Sequence, residues 1–89
     1  MGKLRIYDRR KEAVDGWVVS MVRCNENMHD GPSPSTGEVI VYRYQDGPGS
    51  VDPSWTGHAA IAGDVFRFFV DHLQRGFSVE EIEEACVNA

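Results

Sequence analysis

Trp17-Val18-Val19-Ser20-Met21-Val22-Arg23-Cys24 is the stretch whose composition decides the fold. Its β-branched and aromatic residues suit a pleated, packed surface, and a start that is apolar on both faces reads as a central strand. Such a strand needs a neighbour on each side, and both flanks offer one. Upstream, Lys3-Leu4-Arg5-Ile6-Tyr7 alternates polar with apolar residues, predicting a half-buried strand with Leu4 and Ile6 turned inward. The charged residues 8–16 then serve as a connection closing on Asp15-Gly16, whose glycine tolerates the positive φ of a tight reversal. Downstream, Glu38-Val39-Ile40-Val41-Tyr42-Arg43-Tyr44 returns to strand composition, with Ile40, Tyr42 and Tyr44 on one face and Val39, Val41 and Arg43 on the other.

Two polar segments separate these runs from each other and from the C-terminal third of the chain. Residues 25–37 hold Asn25, Asn27, Asp30-Gly31, Pro32, Ser33, Pro34, Ser35 and Gly37, which is loop chemistry, and their length marks a candidate functional loop. Residues 45–57, with Gly47, Pro48, Gly49 and Pro53, form a second loop that Trp55 docks. From 58 to 75, Ile61, Val65, Phe68, Phe69 and Leu73 recur at helical spacing, with Ser54 or Thr56 as cap, Arg75 in the last turn and Gly76 beyond it. Ser78-Val79-Glu80-Glu81 is a capping box, Phe77 can staple to Ile82, and Val79, Ile82, Ala85 and Cys86 stripe a second, short helix.

The expected architecture is α+β in the order βββαα: a three-stranded, mainly antiparallel sheet covered on one face by the helix at 58–75, with the short helix at its end. Its core candidates are Leu4, Ile6, Val19, Met21, Ile40, Tyr42, Ile61, Val65, Phe68, Phe69, Leu73, Phe77 and Ile82. Residues 1–89 suit one domain, because two cores could not both be filled from so short a chain. The phrase from Leu73 to Ile82 also resembles the Gly-Phe-Ser-x-Glu-Glu-Ile turn of the mercury-resistance activator family of regulators. That family places a basic helix-turn-helix domain ahead of the turn, and nothing before residue 57 resembles one, so the resemblance implies a helix-to-helix junction and no function.

An apolar share of 42% with four Phe, two Trp and three Tyr is that of a chain that folds. Cys24 and Cys86 are too few for a disulfide framework and read as small buried apolar groups. Neither a signal-type apolar stretch nor a run approaching ~18 apolar residues occurs, which predicts a cytoplasmic protein.

Candidate chemistry is thin. Cys24, His29, His58, His72 and Cys86 lack the close spacing of metal sites, so no metal is expected. No local signature joins cysteine, histidine and acid into a nucleophile and base, so no enzyme or cofactor is expected. Gly57-His58 is ordinary for a helix start, and Asp46, Ser50 and Asp52 miss the calcium-loop spacing. Pro32-Ser33-Pro34-Ser35 is a stiff loop.

Charge is the informative feature. Residues 1–44 carry seven Lys or Arg against six Asp or Glu, whereas residues 45–89 carry two against eight. Direct nucleic-acid binding is disfavoured, because the only cationic cluster is the segment from Lys3 to Lys11. The carboxylates Asp46, Asp52, Asp64, Asp71, Glu80, Glu81, Glu83 and Glu84 instead suit a basic groove on another protein, where they would imitate the phosphates of a nucleic acid. The expectation is a small, acidic, non-enzymatic protein-binding inhibitor of a nucleic-acid-handling protein, concretely a phage-type anti-defence protein of anti-CRISPR kind. The alternatives are an assembly module that dimerises through its sheet at Val18 and Val22, and a small metal- or cysteine-dependent enzyme.

Overall fold

The computed structural model describes residues 4–26, 35–45, 47 and 52–87. Strands β1 (Leu4–Val14), β2 (Trp17–Glu26), β3 (Ser35–Arg43) and β4 (Trp55–His58) precede helices α1 (Ala59–Gln74) and α2 (Val79–Val87). The sheet runs β1-β2-β3-β4 with every neighbouring pair antiparallel, and the stretch at 17–24 is an interior strand as its composition predicts. The sheet has four strands where the sequence predicts three. Trp-Thr-Gly-His shows no strand-like alternation of hydrophobicity and reads as loop, yet Trp55–His58 pairs along β3 from Val39↔Trp55 to Thr36↔His58.

Residues 8–14 are likewise strand and not connection. They lie on the sheet edge, where Arg9, Arg10, Lys11 and Glu12 are exposed, and charge on an edge strand discourages pairing with other chains. Asp15 (φ 48°) and Gly16 (φ 84°) make the two-residue reversal into β2, the paired positive φ values that favour Asp-Gly.

The register shifts between Ile6 and Asp8, leaving Tyr7 as the extra residue of a bulge. That bulge inverts the alternation, so Ile6 shares a sheet face with Cys24, away from the helices, and is 52% exposed instead of buried. The Leu4 side chain lies outside the described residues.

Helix α1 packs on the face carrying Val19, Met21, Val39 and Val41, and these join Ala62, Val65, Phe66, Phe69, Leu73 and Ile82 in the core. Val19, Met21, Tyr42, Val65, Phe69, Leu73 and Ile82 are buried as expected, although Tyr42 belongs to the opposite sheet face. Four other expectations fail: Ile61 and Phe77 are exposed, and Ile40 and Phe68 are only partly covered. The sheet-facing stripe of α1 is Ala59, Ala62, Phe66, Phe69 and Leu73, rotated by about one residue from the stripe that the bulkier side chains suggest. Alanine and Gly37 explain the rotation. A methyl group at Gly37 would overlap that of Ala62 and lie 3.2 Å from the Ala59 backbone, so the first turns of α1 sit directly on β3.

The junction between the helices follows its sequence. Gly76 (φ 92°) donates to Leu73 O at 3.1 Å and Phe77 N–H donates to His72 O at 3.0 Å, the paired bonds of a Schellman end. Phe77, 44% exposed, rests on the His72 ring with 5.1 Å between centroids. The start of α1 is capped by His58, not by Ser54 or Thr56: its Nδ1 accepts from Ala60 N–H at 3.2 Å. At α2 the capping box forms, with Glu81 N–H donating to Ser78 Oγ (3.2 Å) and Ser78 N–H to Glu81 Oε1 (2.9 Å). The Ser78 N–H bond, helped by the Ser78 hydroxyl, holds the Glu81 carboxyl below its usual pKa. A depressed carboxyl stabilises the fold above its unfolded pKa of about 4.3, and that contribution is lost as pH falls through the lower folded value. Ser78→Ala is expected to cost about 1 kcal/mol at neutral pH. In urea melts the gap between the parent chain and Glu81→Gln should narrow below about pH 4, and a gap independent of pH would rule out the Glu81 linkage.

Candidate interaction surface

The amphipathic spacing of α2 sorts its side chains. Ile82 is buried against α1, with Val79 and Cys86 partly covered beside it, and this leaves Glu80, Glu81 and Glu84 exposed and Glu83 half-buried. Glu81 is occupied by the capping box. Among the described residues no cation pairs with Glu80, Glu83 or Glu84, so these three present unneutralised charge on consecutive turns.

The other predicted carboxylates behave differently. Asp64 bonds Arg67 at 2.9 Å, and Asp71 pairs with Arg75 at 3.3 Å and lies 3.8 Å from His72. Both are exposed i,i+3 or i,i+4 pairs on α1, legible in the sequence by spacing, and each cancels a charge that a simple count treats as free. Asp52 is exposed ahead of β4, and Asp46 lies outside the described residues. Among the described residues the unpaired carboxylates of this set are therefore concentrated on α2.

Opposite charge sits elsewhere. β1 carries Arg5, Arg9, Arg10 and Lys11 against Asp8 and Glu12, with Asp8 engaged by Arg10 (3.7 Å) and Arg23 (3.5 Å). No protein-family model, curated protein or solved structure matches the chain. The surface must be judged on its own chemistry.

Burial pushes the Cys24 thiol up, with help from Glu38, and burial with the Glu83 charge does the same to Cys86. His58 caps α1, and His72 stacks on Phe68 at 3.9 Å with Nδ1 placed 2.9 Å from Phe68 O. Among the described residues no three His, Cys, Asp or Glu converge on a point that could hold a metal ion, and no helix is long and apolar enough to cross a membrane. His29, Ser50 and Pro32-Ser33-Pro34 lie outside the described residues, as does most of the candidate loop, of which Asn25 extends β2 and Ser35 to Gly37 open β3. A cavity of about 390 Å³ beside Gly16, Arg43, Tyr44 and Gln45 lies at the far end of the sheet, where the Arg43 guanidinium stacks 4.2 Å above the Trp17 ring.

The sheet face away from the helices is mixed in character. One row across it reads Arg9, Val22, Glu38 and Thr56, the next Lys11, Ser20 and Ile40, and the next Ala13, Val18 and Tyr42. Val18, offered by the sequence as a dimer contact, is only 5% exposed.

Proposed function

We propose that the protein is a small non-enzymatic inhibitor that binds a nucleic-acid-handling protein through the acidic face of α2, covering a basic surface that otherwise holds phosphates. The observation that carries this reading is the triplet Glu80, Glu83 and Glu84, unpaired among the described residues, on a helix whose apolar side is anchored by Ile82. Carboxylates fixed on a packed helix offer a rigid array of negative charge, and such arrays steer association with a basic partner and set its register. An anti-defence protein directed at an RNA-guided nuclease is the concrete form of this proposal. The interleaving of Arg9, Glu38 and Lys11 with Val22 and Ile40 on the sheet face away from the helices favours α2 over a sheet-mediated homodimer as the binding surface.

The test is binding to a panel of purified effectors with basic DNA or RNA channels, RNA-guided nucleases among them. Saturable association at low ionic strength that weakens with salt is expected with at least one. The triple variant Glu80→Lys, Glu83→Lys, Glu84→Lys should weaken it at least tenfold, since each reversed charge costs on the order of 0.5–1 kcal/mol or more. No association with any of them, even at low salt, would end the proposal.

A further inference from the structure

Helix α1 carries two apolar stripes. One, from Ala59 through Phe66 to Leu73, is spent on the sheet, and the second, Ile61, Val65 and Phe68, faces away from it toward α2. The nine residues of α2 cover that second stripe only in part. Ile61 stays 51% exposed, and a groove of about 360 Å³ opens between α1, α2 and β4. Its walls are Trp55, Ile61, Val65, Phe68, Ala85 and Cys86, with Asp64 at the rim. Aromatic and aliphatic walls under a polar rim are the usual setting for an interface anchor.

We propose that this groove receives one bulky apolar side chain from the partner protein, carried on a segment that flanks it with lysine or arginine. The charge around the groove selects that occupant. Glu83 precedes Cys86 by one helical turn and its charge acts on that thiol, while no lysine or arginine is among the described lining residues. The cation beside that rim, Arg67, is already bonded to Asp64. A basic segment reaching Glu80, Glu83 and Glu84 would thus carry its neighbouring apolar residue across the groove, uniting charge and burial in one contact. This inference rests on the acidic-face reading and adds an anchor to it.

Two twelve-residue peptides on the full chain test it: one of lysine and arginine with a single central leucine, the other with serine in its place, each followed by amide chemical shifts. The leucine peptide is expected to move Ile61, Asp64, Phe68, Ala85 and Cys86 and to bind about tenfold more tightly than the serine peptide. Ile61→Ser, a change at a half-exposed position, should erase that preference while the circular dichroism stays that of the parent. Equal affinities with shifts confined to residues 80–84 would overturn the anchor and leave the acidic face standing. Binding by neither peptide would remove both. Light scattering showing a dimer that Ile61→Ser dissolves would overturn the anchor too, by naming a second copy as the occupant.

Discussion

Phe69→Ala is expected to lower stability by roughly 3–5 kcal/mol, the usual range for deleting a buried phenyl ring from a core. Phe69 is the largest side chain with no exposure at all, seated among Met21, Val39 and the other core residues where α1 crosses the sheet. A chain of 89 residues has a total stability on the order of 4–13 kcal/mol at the common value per residue, so the loss removes a large share of it. The urea midpoint should fall by about 2 M or more, with the variant already partly unfolded in buffer if the parent lies at the low end. A shift under about 0.5 M would mean that the interior rearranges freely around the missing ring.

Gly37→Val should cost about 3 kcal/mol despite the strong preference of valine for strands. The reason is geometric, since the new Cβ would overlap that of Ala62 and press on the Ala59 backbone at 3.2 Å, and a helix backbone cannot rotate aside. Adding Ala62→Gly should restore part of the loss by relieving that overlap, and the recovery measured in a double-mutant cycle isolates the contact. Gly63→Ala is the control: its new methyl meets only the guanidinium of Arg23, a side chain that can shift where backbone cannot, so a smaller loss than at Gly37 is expected. Equal losses at Gly37 and Gly63 would refute the close seam between α1 and β3.

Most of the framework is legible in the sequence because local chemistry and tertiary packing agree there. Asp15-Gly16 gives the reversal, the run at 17–24 gives an interior strand, and Gly76 with Ser78 gives the break between helices. The hidden features depend on information that no short window contains. The bulge at Tyr7 inverts the faces of β1, and neither Ile6 nor its neighbours announce it. β4 exists through pairing with β3, which its own four residues do not encode. The stripe of α1 lies one residue from the one its periodicity suggests, because Ala59 and Ala62 bury little and weigh little in a pattern of bulky groups. Their smallness is nevertheless what brings the helix down onto Gly37. The bulky residues left over by that rotation, Ile61 and Phe68, line the groove.

The acidic surface is legible as composition and not as arrangement. Eight carboxylates after residue 44 can be counted, but Arg67 and Arg75 lie at helical spacing from Asp64 and Asp71, and the capping box takes Glu81. The charge available to a partner is concentrated on α2. Ion pairs on an exposed helix contribute little to stability, so their main consequence here is to decide which carboxylates remain free.

Competition for an effector's nucleic-acid channel is the most direct measurement. A fluorescent DNA or RNA bound to each effector of the panel is titrated with the chain and with its Glu80→Lys, Glu83→Lys, Glu84→Lys variant, and anisotropy reports displacement. With at least one effector the parent chain should release the nucleic acid at near-stoichiometric amounts in low salt, and the variant should need at least ten times more. A parent and variant that displace equally well, or a ternary complex in which chain and nucleic acid ride together on every effector that binds, would contradict an acidic helix acting in place of phosphates.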